Sequence, residues 1–502
     1  MFEAKGIQRY IFASGKLRDV VGASDLVAGL ANSDGGKPGS PDKIGKFWND
    51  AASFSRRAGG AFCIHSGDKA ALVLLRARWR LHVLTELPGL EFVDVIAAAQ
   101  GDNPLDAMRA CFREAGGIRA NYPAEVPGLG RPISKIAPLT GRPAVRVNRY
   151  GDKLVLVDAI GLPQRVHADK TKLDNIAKRF VADAGQYKFP RNYDDGPEVD
   201  PDDNPVFPFA GDDKRIAVIH ADLSGLGELF RNMGAESGFT VQQNFNLAKL
   251  IEDAITNAVR GAVACKIVPH AVDNVLPARP VLLGGDDITI IVRADLAIQF
   301  TVKLLENIEA QCKHIGAPNE HVLSACAGIA IVGKGTPFLT AYALADDLCG
   351  HAKQAVKAAL VEKDGRNGYA SAYSFHVYQH TAHDSYEGTI AETEVDARGE
   401  PLSANPYLVG DRKVEAIDLI DLAQALANIE GGHNRVREIK ALISDNIDLA
   451  KAAWERWFHV GEKSALQALG DGTFMDGSSG IFDAMTLIDL GAVAKKQAKA
   501  AA

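Results

Sequence analysis

The chain has 502 residues, of which 47% are hydrophobic and 24% are charged, and its formal net charge at pH 7 is −7. This apolar content excludes disorder as the main state, and the length predicts about three domains. The mildly acidic balance argues against a surface that binds nucleic acid throughout, because phosphate binding depends on clustered lysine and arginine.

The amino-terminal run and the cysteines narrow the class of protein further. Glu3 and Lys5 stand where a signal peptide needs an apolar core. No stretch of about 18 residues is apolar enough to span a bilayer. The six cysteines form no Cys-x-x-Cys pair, which argues against a zinc ribbon. We therefore expect a cytoplasmic protein without membrane association.

The first half of the chain is predicted to be a degenerate ferredoxin-like palm, over 1–135. It has an opening run at 3–8, a glycine turn over 58–64, a strand over 92–99 and a helix after Pro104. We assign 136–213 to an inter-palm region that ends in a linker. Residues 189–214 of that region are rich in aspartate and proline and lack apolar periodicity, which is typical of a linker or long surface loop.

The second half repeats the β-α-β-β-α-β order more clearly, over 214–385. An apolar run ends in Asp222 and a glycine turn, and a helix follows through about Val263. Two further apolar runs form a hairpin over 281–292, followed by a helix, a strand over 323–332, a helix over 338–360 and a final strand near 373–378. Helical apolar spacing within 386–502 predicts a C-terminal α-helical domain. The predicted fold class is therefore α+β, with two ferredoxin-like palms and this helical domain.

Three anchors in the same order indicate that the second palm duplicates the first. Asp222 matches Glu3, whereas Asp286 and Asp287 match Ala61 and Phe62. Only the second palm can therefore assemble a full carboxylate site.

The acidic residues of the second palm predict a metal site. Asp286 and Asp287 are adjacent at a turn between apolar strands, where two like charges are costly unless a cation neutralises them. Asp222 ends the neighbouring strand. Three carboxylates and a backbone carbonyl, such as that of Leu223, form a hard oxygen site suited to Mg²⁺ or Mn²⁺. Two such ions clamp the attacking and leaving oxygens of phosphoryl transfer.

Other residues near this turn have a functional and a structural interpretation. Gly284 and Gly285 would let the backbone approach a nucleotide. The alternative is that Gly-Gly-Asp-Asp is only a polar hairpin turn. We interpret His220, which precedes Asp222 by two residues, as a satisfied core histidine and not as a base.

Several runs of sequence carry a resemblance to a known family. They are the runs over 221–227 and 283–287, the openings over 6–12 and 16–24, and the helix over 337–353 that ends in an Ala-Lys pair. Together they resemble the large palm-domain subunit (the Cas-ten family) of type III CRISPR effector complexes, over most of residues 1–380. The resemblance implies a nucleotidyl cyclase/polymerase that joins ATP by 3′–5′ links into cyclic oligoadenylate messengers for antiviral defence.

The resemblance also assigns residue roles and partners. It implies that Asp222, Asp286 and Asp287 hold the metals and that Lys353 contacts the triphosphate. Ser224 and Gly225 would line the phosphate or ribose pocket. Implied partners besides ATP are other type III CRISPR subunits and guide or target RNA, and self-association stays open. Larger relatives carry an HD nuclease domain, whereas here the first palm starts at residue 1, so DNase activity is not expected.

Two alternatives stay open. A diguanylate-cyclase-like enzyme would use GTP on the same palm, but such enzymes usually have Glu-Phe where this chain has Asp287-Ile288. A non-catalytic scaffold subunit of an RNA-guided complex would be free to lose its carboxylates, and their retention in one palm weighs against it.

Overall fold

The structure of the protein is a computed structural model. It describes residues 1–14, 16–30, 53–58, 60–98, 104–120, 135–150, 153–170, 175–190, 206–235, 239–284, 287–313, 315, 323–360, 370–378, 388, 394–409, 418–461, 469 and 473–493. Gly285 and Asp286, both predicted site residues, lie outside these ranges.

The first palm forms a four-stranded sheet in the order β2-β3-β1-β4. Strand β1 pairs antiparallel with both β3 and β4. Its alternate residues face the core, where the Phe2 ring stacks on Phe62 at 5.3 Å and meets Trp79 edge-on at 5.4 Å. Its elements are β1 (Phe2–Lys5), α1 (Ile7–Ile11), α2 (Leu17–Gly29), β2 (Ser53–Ala58), β3 (Ala61–His65), α3 (Lys69–Glu86), β4 (Glu91–Asp94) and α4 (Pro104–Ala120).

The inter-palm region holds a hairpin and two helices, with one helix docked on α2. Arg165 donates two hydrogen bonds to Asp19, at 2.8 and 2.5 Å, and both side chains are buried. A Cβ at Gly22 would collide with the carbonyl oxygen of Gln164, so this close approach requires glycine. The elements are β5 (Ala144–Tyr150), β6 (Lys153–Asp158), α5 (Gly161–Lys170) and α6 (Asn175–Phe180).

The second palm forms a six-stranded sheet in the order β12-β11-β10-β7-β9-β8. Its last four positions, β10-β7-β9-β8, repeat the order β4-β1-β3-β2 of the first sheet. The predicted α+β class is confirmed, and the shared strand order agrees with the predicted duplication. The elements are β7 (Arg215–Ser224), α7 (Leu226–Ala235), α8 (Val241–Lys266), β8 (Ala278–Gly284), β9 (Asp287–Arg293), α9 (Ala297–Cys312), β10 (Ser324–Gly333), α10 (Phe338–Leu360), β11 (Ser371–Val377) and β12 (Tyr407–Val409).

The helix predicted from the Asp222 turn to Val263 is two helices, α7 and α8. A capping box starts α8: the Thr240 hydroxyl accepts from the Gln243 N–H at 3.3 Å, and the Gln243 side chain accepts from the Thr240 N–H at 2.8 Å. This pair satisfies amide groups at the amino end of α8, so a new helix begins there.

The residue matching between the palms needs a one-residue correction. In the hairpins, Ala58 pairs with Ala61 and Gly284 pairs with Asp287. Glu3 likewise lies opposite Ala61, as Asp222 lies opposite Asp287. Strand pairing therefore matches Asp287 with Ala61, not with Phe62, and leaves the first palm without an acid at this position.

The two faces of the second sheet differ in character. Residues Ala217, Ile219, Ala221 and their neighbours on the back face belong to one large apolar cluster with α8 and α9. Helix α10 covers the front face, where a Cβ at Gly328 would collide with the Ala345 carbonyl oxygen. Side chains directly opposite each other on neighbouring strands share a face, so the polar residues of β7, β9 and β10 gather on the front.

The C-terminal region packs helices against the palm and adds a strand to it. Strand β12, from the region predicted to be helical, pairs with β11. Asp483 on α14 accepts from Tyr407, Ser403 and the Ala404 N–H, and burial raises the pKa of Asp483 to about 6. The helices are α11 (Leu419–Ala427), α12 (Gly432–Asp445), α13 (Ile447–Val460) and α14 (Ile481–Asp489). Among the described helices, none combines the length and hydropathy needed to cross a membrane.

The two palms share a buried apolar cluster. The Phe12 ring lies 4.5 Å from Tyr342 and 5.0 Å from Phe338, both on α10. The Ser24 hydroxyl of α2 donates to the carbonyl oxygen of Val281 on β8. The first palm is therefore fixed against the front face of the second.

Candidate active site

Asp222 and Asp287 lie directly opposite each other at one end of the second sheet. Strand β7 ends at Ser224 and β9 begins at Asp287, and the antiparallel register pairs Asp222 with Asp287. Opposed residues of this kind have Cβ atoms about 5 Å apart and point to the same face. The apolar residues behind them hold both strands in the core, while both carboxylates remain partly exposed. The structure thus brings together two of the three predicted acids.

Lys353 supplies the positive charge at this site. Its ammonium group forms an ion pair with Asp222 Oδ2, and the side chains are 23% and 25% exposed. Burial lowers the pKa of Lys353, and Lys357 one turn further along α10 adds to that effect. The predicted phosphate ligand is therefore already within reach of the predicted metal ligand, held there by charge.

The first palm contains a matching ion pair with different chemistry. Glu3, at the position of Asp222, pairs with Arg119 of α4, and Lys5 lies 3.6 Å from the same carboxylate. Helix α4 follows β4 as α10 follows β10, so the acid and its basic partner come from corresponding elements. With Ala61 opposite it, Glu3 has one acid and two bases around it, which disfavours a divalent cation.

Other polar residues line the front face beside the acids. His220 is buried, and its ring lies 3.3 Å from the Thr289 hydroxyl and 3.4 Å from Asp346. Burial lowers the pKa of His220, and Asp346 opposes that effect. One ring nitrogen faces the buried Thr289 hydroxyl and the other faces the exposed Asp346 carboxylate, which agrees with the interpretation as a satisfied histidine.

Three of the predicted nucleotide-binding residues, Ser224, Gly225 and Gly284, lie at strand ends beside the acids. Gly225 has φ +85°, a conformation that favours glycine, and begins the turn into α7. A Cβ at Gly284 would meet only Leu282 at 3.9 Å, so the space before it is open. Ser224 contacts the Cys326 thiol. The Leu223 side chain is buried on the back face, and the role of its carbonyl as a metal ligand stays a prediction.

Three residues of this site were missed by the sequence reasoning. Gln8 of α1 lies with its Nε2 3.5 Å from Asp287 Oδ2, and Tyr342 and Asp346 of α10 lie beside it. The position of Gln8 in the Gly-Ile-Gln run of the opening anchor was the available signal. Its partner is 279 residues away, so no local pattern indicated the contact.

The residues present fit a divalent cation chemically. The two opposed carboxylates at the ends of β7 and β9 are hard oxygen donors of the type that Mg²⁺ and Mn²⁺ prefer. An ammonium group balances the charge of one of them. Within the described ranges, which omit Asp286, no group of three or more potential ligands occurs. The third carboxylate stays a prediction from sequence.

One segment of the chain matches a known family model. Residues 215–361 match the family model Cas10/Cmr2, second palm domain. A comparison with curated proteins finds no match.

Three solved structures are similar to this chain over most of its length. A Csm1-Csm4 cassette in complex with cA4 has a TM-score of 0.49 and 14% identity, and the match covers 98% of this chain and 69% of that chain. Csm1 in T. onnurineus has a TM-score of 0.47 and 14% identity, and the match covers 98% of this chain and 69% of that chain. A Csm1-Csm4 cassette in complex with one ATP has a TM-score of 0.45 and 13% identity, and the match covers 98% of this chain and 69% of that chain. The segment that matches the family model contains Asp222, Asp287 and Lys353, so the candidate site lies within the part of the chain that is similar to this family's second palm domain.

Proposed function

We propose that the chain is a metal-dependent nucleotidyltransferase that converts ATP into cyclic oligoadenylate-type messengers, as part of type III CRISPR defence. The observation that carries the proposal is the opposition of Asp222 and Asp287 on neighbouring strands, with Lys353 beside them. The family match over 215–361 supports the same assignment. We also propose other type III subunits and guide or target RNA as partners.

In the proposed reaction, the 3′-hydroxyl of one nucleotide attacks the α-phosphate of a second ATP. A new P–O bond forms, the bond between the α- and β-phosphates breaks, pyrophosphate leaves and the hydroxyl proton passes to solvent. Two Mg²⁺ or Mn²⁺ ions, held by Asp222, Asp286, Asp287 and the Leu223 carbonyl, would supply the charge that activates the hydroxyl and stabilises the leaving group.

The chain's own residues would bind and orient the nucleotide. Lys353 would exchange its ion pair with Asp222 for one with the triphosphate, which is a gain because its partial burial disfavours an unpaired charge. The open space at Gly284, and the absence of a side chain at Gly285, would admit the phosphates close to the backbone. Ser224 and Gly225 would line the same pocket.

The test is turnover of each nucleoside triphosphate. The purified chain is incubated with each of the four NTPs and Mg²⁺ or Mn²⁺, alone and with target RNA and partner subunits, beside Asp286→Ala/Asp287→Ala. We expect pyrophosphate release and 3′–5′-linked products from ATP, and neither from the double variant. Turnover of GTP alone would favour the diguanylate-cyclase-like alternative. If no NTP gives pyrophosphate release, with or without target RNA and partner subunits, the result would favour the non-catalytic scaffold alternative.

A further inference from the structure

A polar side chain of the first palm reaches the end of the second sheet where Asp222 and Asp287 lie. Gly6 has φ +53° and turns the chain from β1 into the short helix α1. Two residues later, Gln8 directs its side-chain N–H₂ towards Asp287, with Nε2 3.5 Å from Oδ2. This distance is longer than the roughly 2.7–3.2 Å of an ordinary N–H···O hydrogen bond, so the contact is a weak one.

The helix that carries Gln8 is held firmly against the second palm. Tyr10 and Ile11 of α1 are buried, and Phe12 packs on Tyr342 and Phe338 of α10. The pKa of Tyr342 is raised by burial and by the carboxylates of Asp346 and Asp287, and Gln8 partly opposes that rise. Gln8 therefore approaches Asp287 from a helix whose neighbouring residues are buried and packed.

The residue of the second palm that corresponds to Gln8 has no side chain with which to make such a contact. Strand pairing matches Glu3 with Asp222, so Gly6 matches Gly225, which also has a positive φ, and Gln8 matches Gly227. A Cβ at Gly227 would meet nothing within 4 Å. The palms thus share the turn, but where the first palm has the Gln8 side chain, the second palm has a glycine.

We propose that Gln8 is a positioning residue that orients the Asp287 carboxylate for a divalent cation. This inference rests on the proposed function for its purpose, although the contact itself does not. A neutral donor on one carboxylate oxygen restricts the rotation of the side chain without adding a charge that would compete with a cation. Hydrogen-bonding partners of metal ligands typically contribute about 10–100-fold to metal affinity.

The test measures Mn²⁺ binding to the full chain without nucleotide, by the electron paramagnetic resonance signal of free Mn²⁺. Gln8→Met keeps the length of the side chain and removes the donor, so it separates the hydrogen bond from packing. Gln242→Ala, an exposed glutamine of α8 that contacts Asn246, is the control. Asp287→Asn marks the loss of a ligand.

We expect Gln8→Met to weaken Mn²⁺ binding about 10-fold or more, with an unchanged melting temperature, and Gln242→Ala to bind as the wild type does. Wild-type affinity in Gln8→Met would overturn the inference, whether or not ATP is turned over. Weaker binding in Gln8→Met, together with no NTP turnover by the wild type, would contradict the proposed function and leave the inference standing. A wild type that binds no Mn²⁺ would overturn both.

Discussion

At the scale of single residues, the site is organised by charge balance. Asp222 is paired with Lys353, while Asp287 receives a neutral donor from Gln8. Such a site can release its internal cation when a ligand brings phosphate and metal together, because both ions of the pair then gain a new partner. The corresponding acid of the first palm, Glu3, is held by Arg119 and Lys5.

The first prediction concerns Lys353. Lys353→Met should raise the KM for ATP about 10–100-fold, because losing a hydrogen bond to a charged group weakens binding by about this factor. It should also leave Mn²⁺ binding intact or stronger, because Asp222 loses its internal counter-ion. Steady-state kinetics and a Mn²⁺ titration measure both effects.

The matched control for that variant is Lys303→Met. Lys303 is also in an ion pair, with Glu306 at 3.1 Å, but it lies on the exposed side of α9. If both variants have the same KM as the wild type, Lys353 does not contact the triphosphate.

At the scale of elements, the position of α10 on β10 sets the geometry of the site. Helix α10 carries Tyr342, Asp346 and Lys353, and it approaches the sheet at Gly328, where no side chain fits. The contact is between backbones, so neither partner can give way by a change of rotamer.

The second prediction compares two glycines of the same strand. Gly328→Ala should force α10 away from the sheet, cost about 1–3 kcal/mol of unfolding free energy and reduce ATP turnover. Gly333→Ala, where the added Cβ meets nothing within 4 Å, should do neither. Urea unfolding and pyrophosphate release measure the two effects. Equal stability and activity in both variants would show that α10 is not fixed by this contact.

Much of the second palm follows from local sequence pattern. Helix α10 is predicted and observed over 338–360, and the hairpin and β10 are displaced by at most a few residues. Apolar runs interrupted by glycine carry this information directly. The three acids could be singled out because they end or follow such runs, whereas Lys353, inside a helix, could be assigned only from the family resemblance.

The differences arise where tertiary contacts decide. The break between α7 and α8 depends on the capping box at Thr240, and β12 is a three-residue strand whose pairing comes from β11. The one-residue shift that matches Asp287 with Ala61 needed the strand register. Gln8 reaches Asp287 only because the first palm packs on α10.

At the scale of the whole molecule, the two palms have the same strand order and unequal chemistry. The second palm has two opposed aspartates beside the open space at Gly284, whereas the first palm has a single glutamate opposite alanine. Their shared apolar cluster fixes the first palm on the second. The first palm therefore acts as a support for the site, with Gln8 as its polar contribution.

The most direct measurement compares the matched acids of the two palms. Asp222→Asn and Glu3→Gln each convert one carboxylate to an amide at corresponding positions. Pyrophosphate release from ATP with Mg²⁺ is measured for both, under the conditions that support the wild type. We predict that Asp222→Asn lowers the rate by a factor of about 100 or more, as expected for the loss of a group that holds the catalytic charge, and that Glu3→Gln retains the wild-type rate. Equal losses in the two variants, or a loss in Glu3→Gln alone, would contradict the assignment of the active site to the second palm.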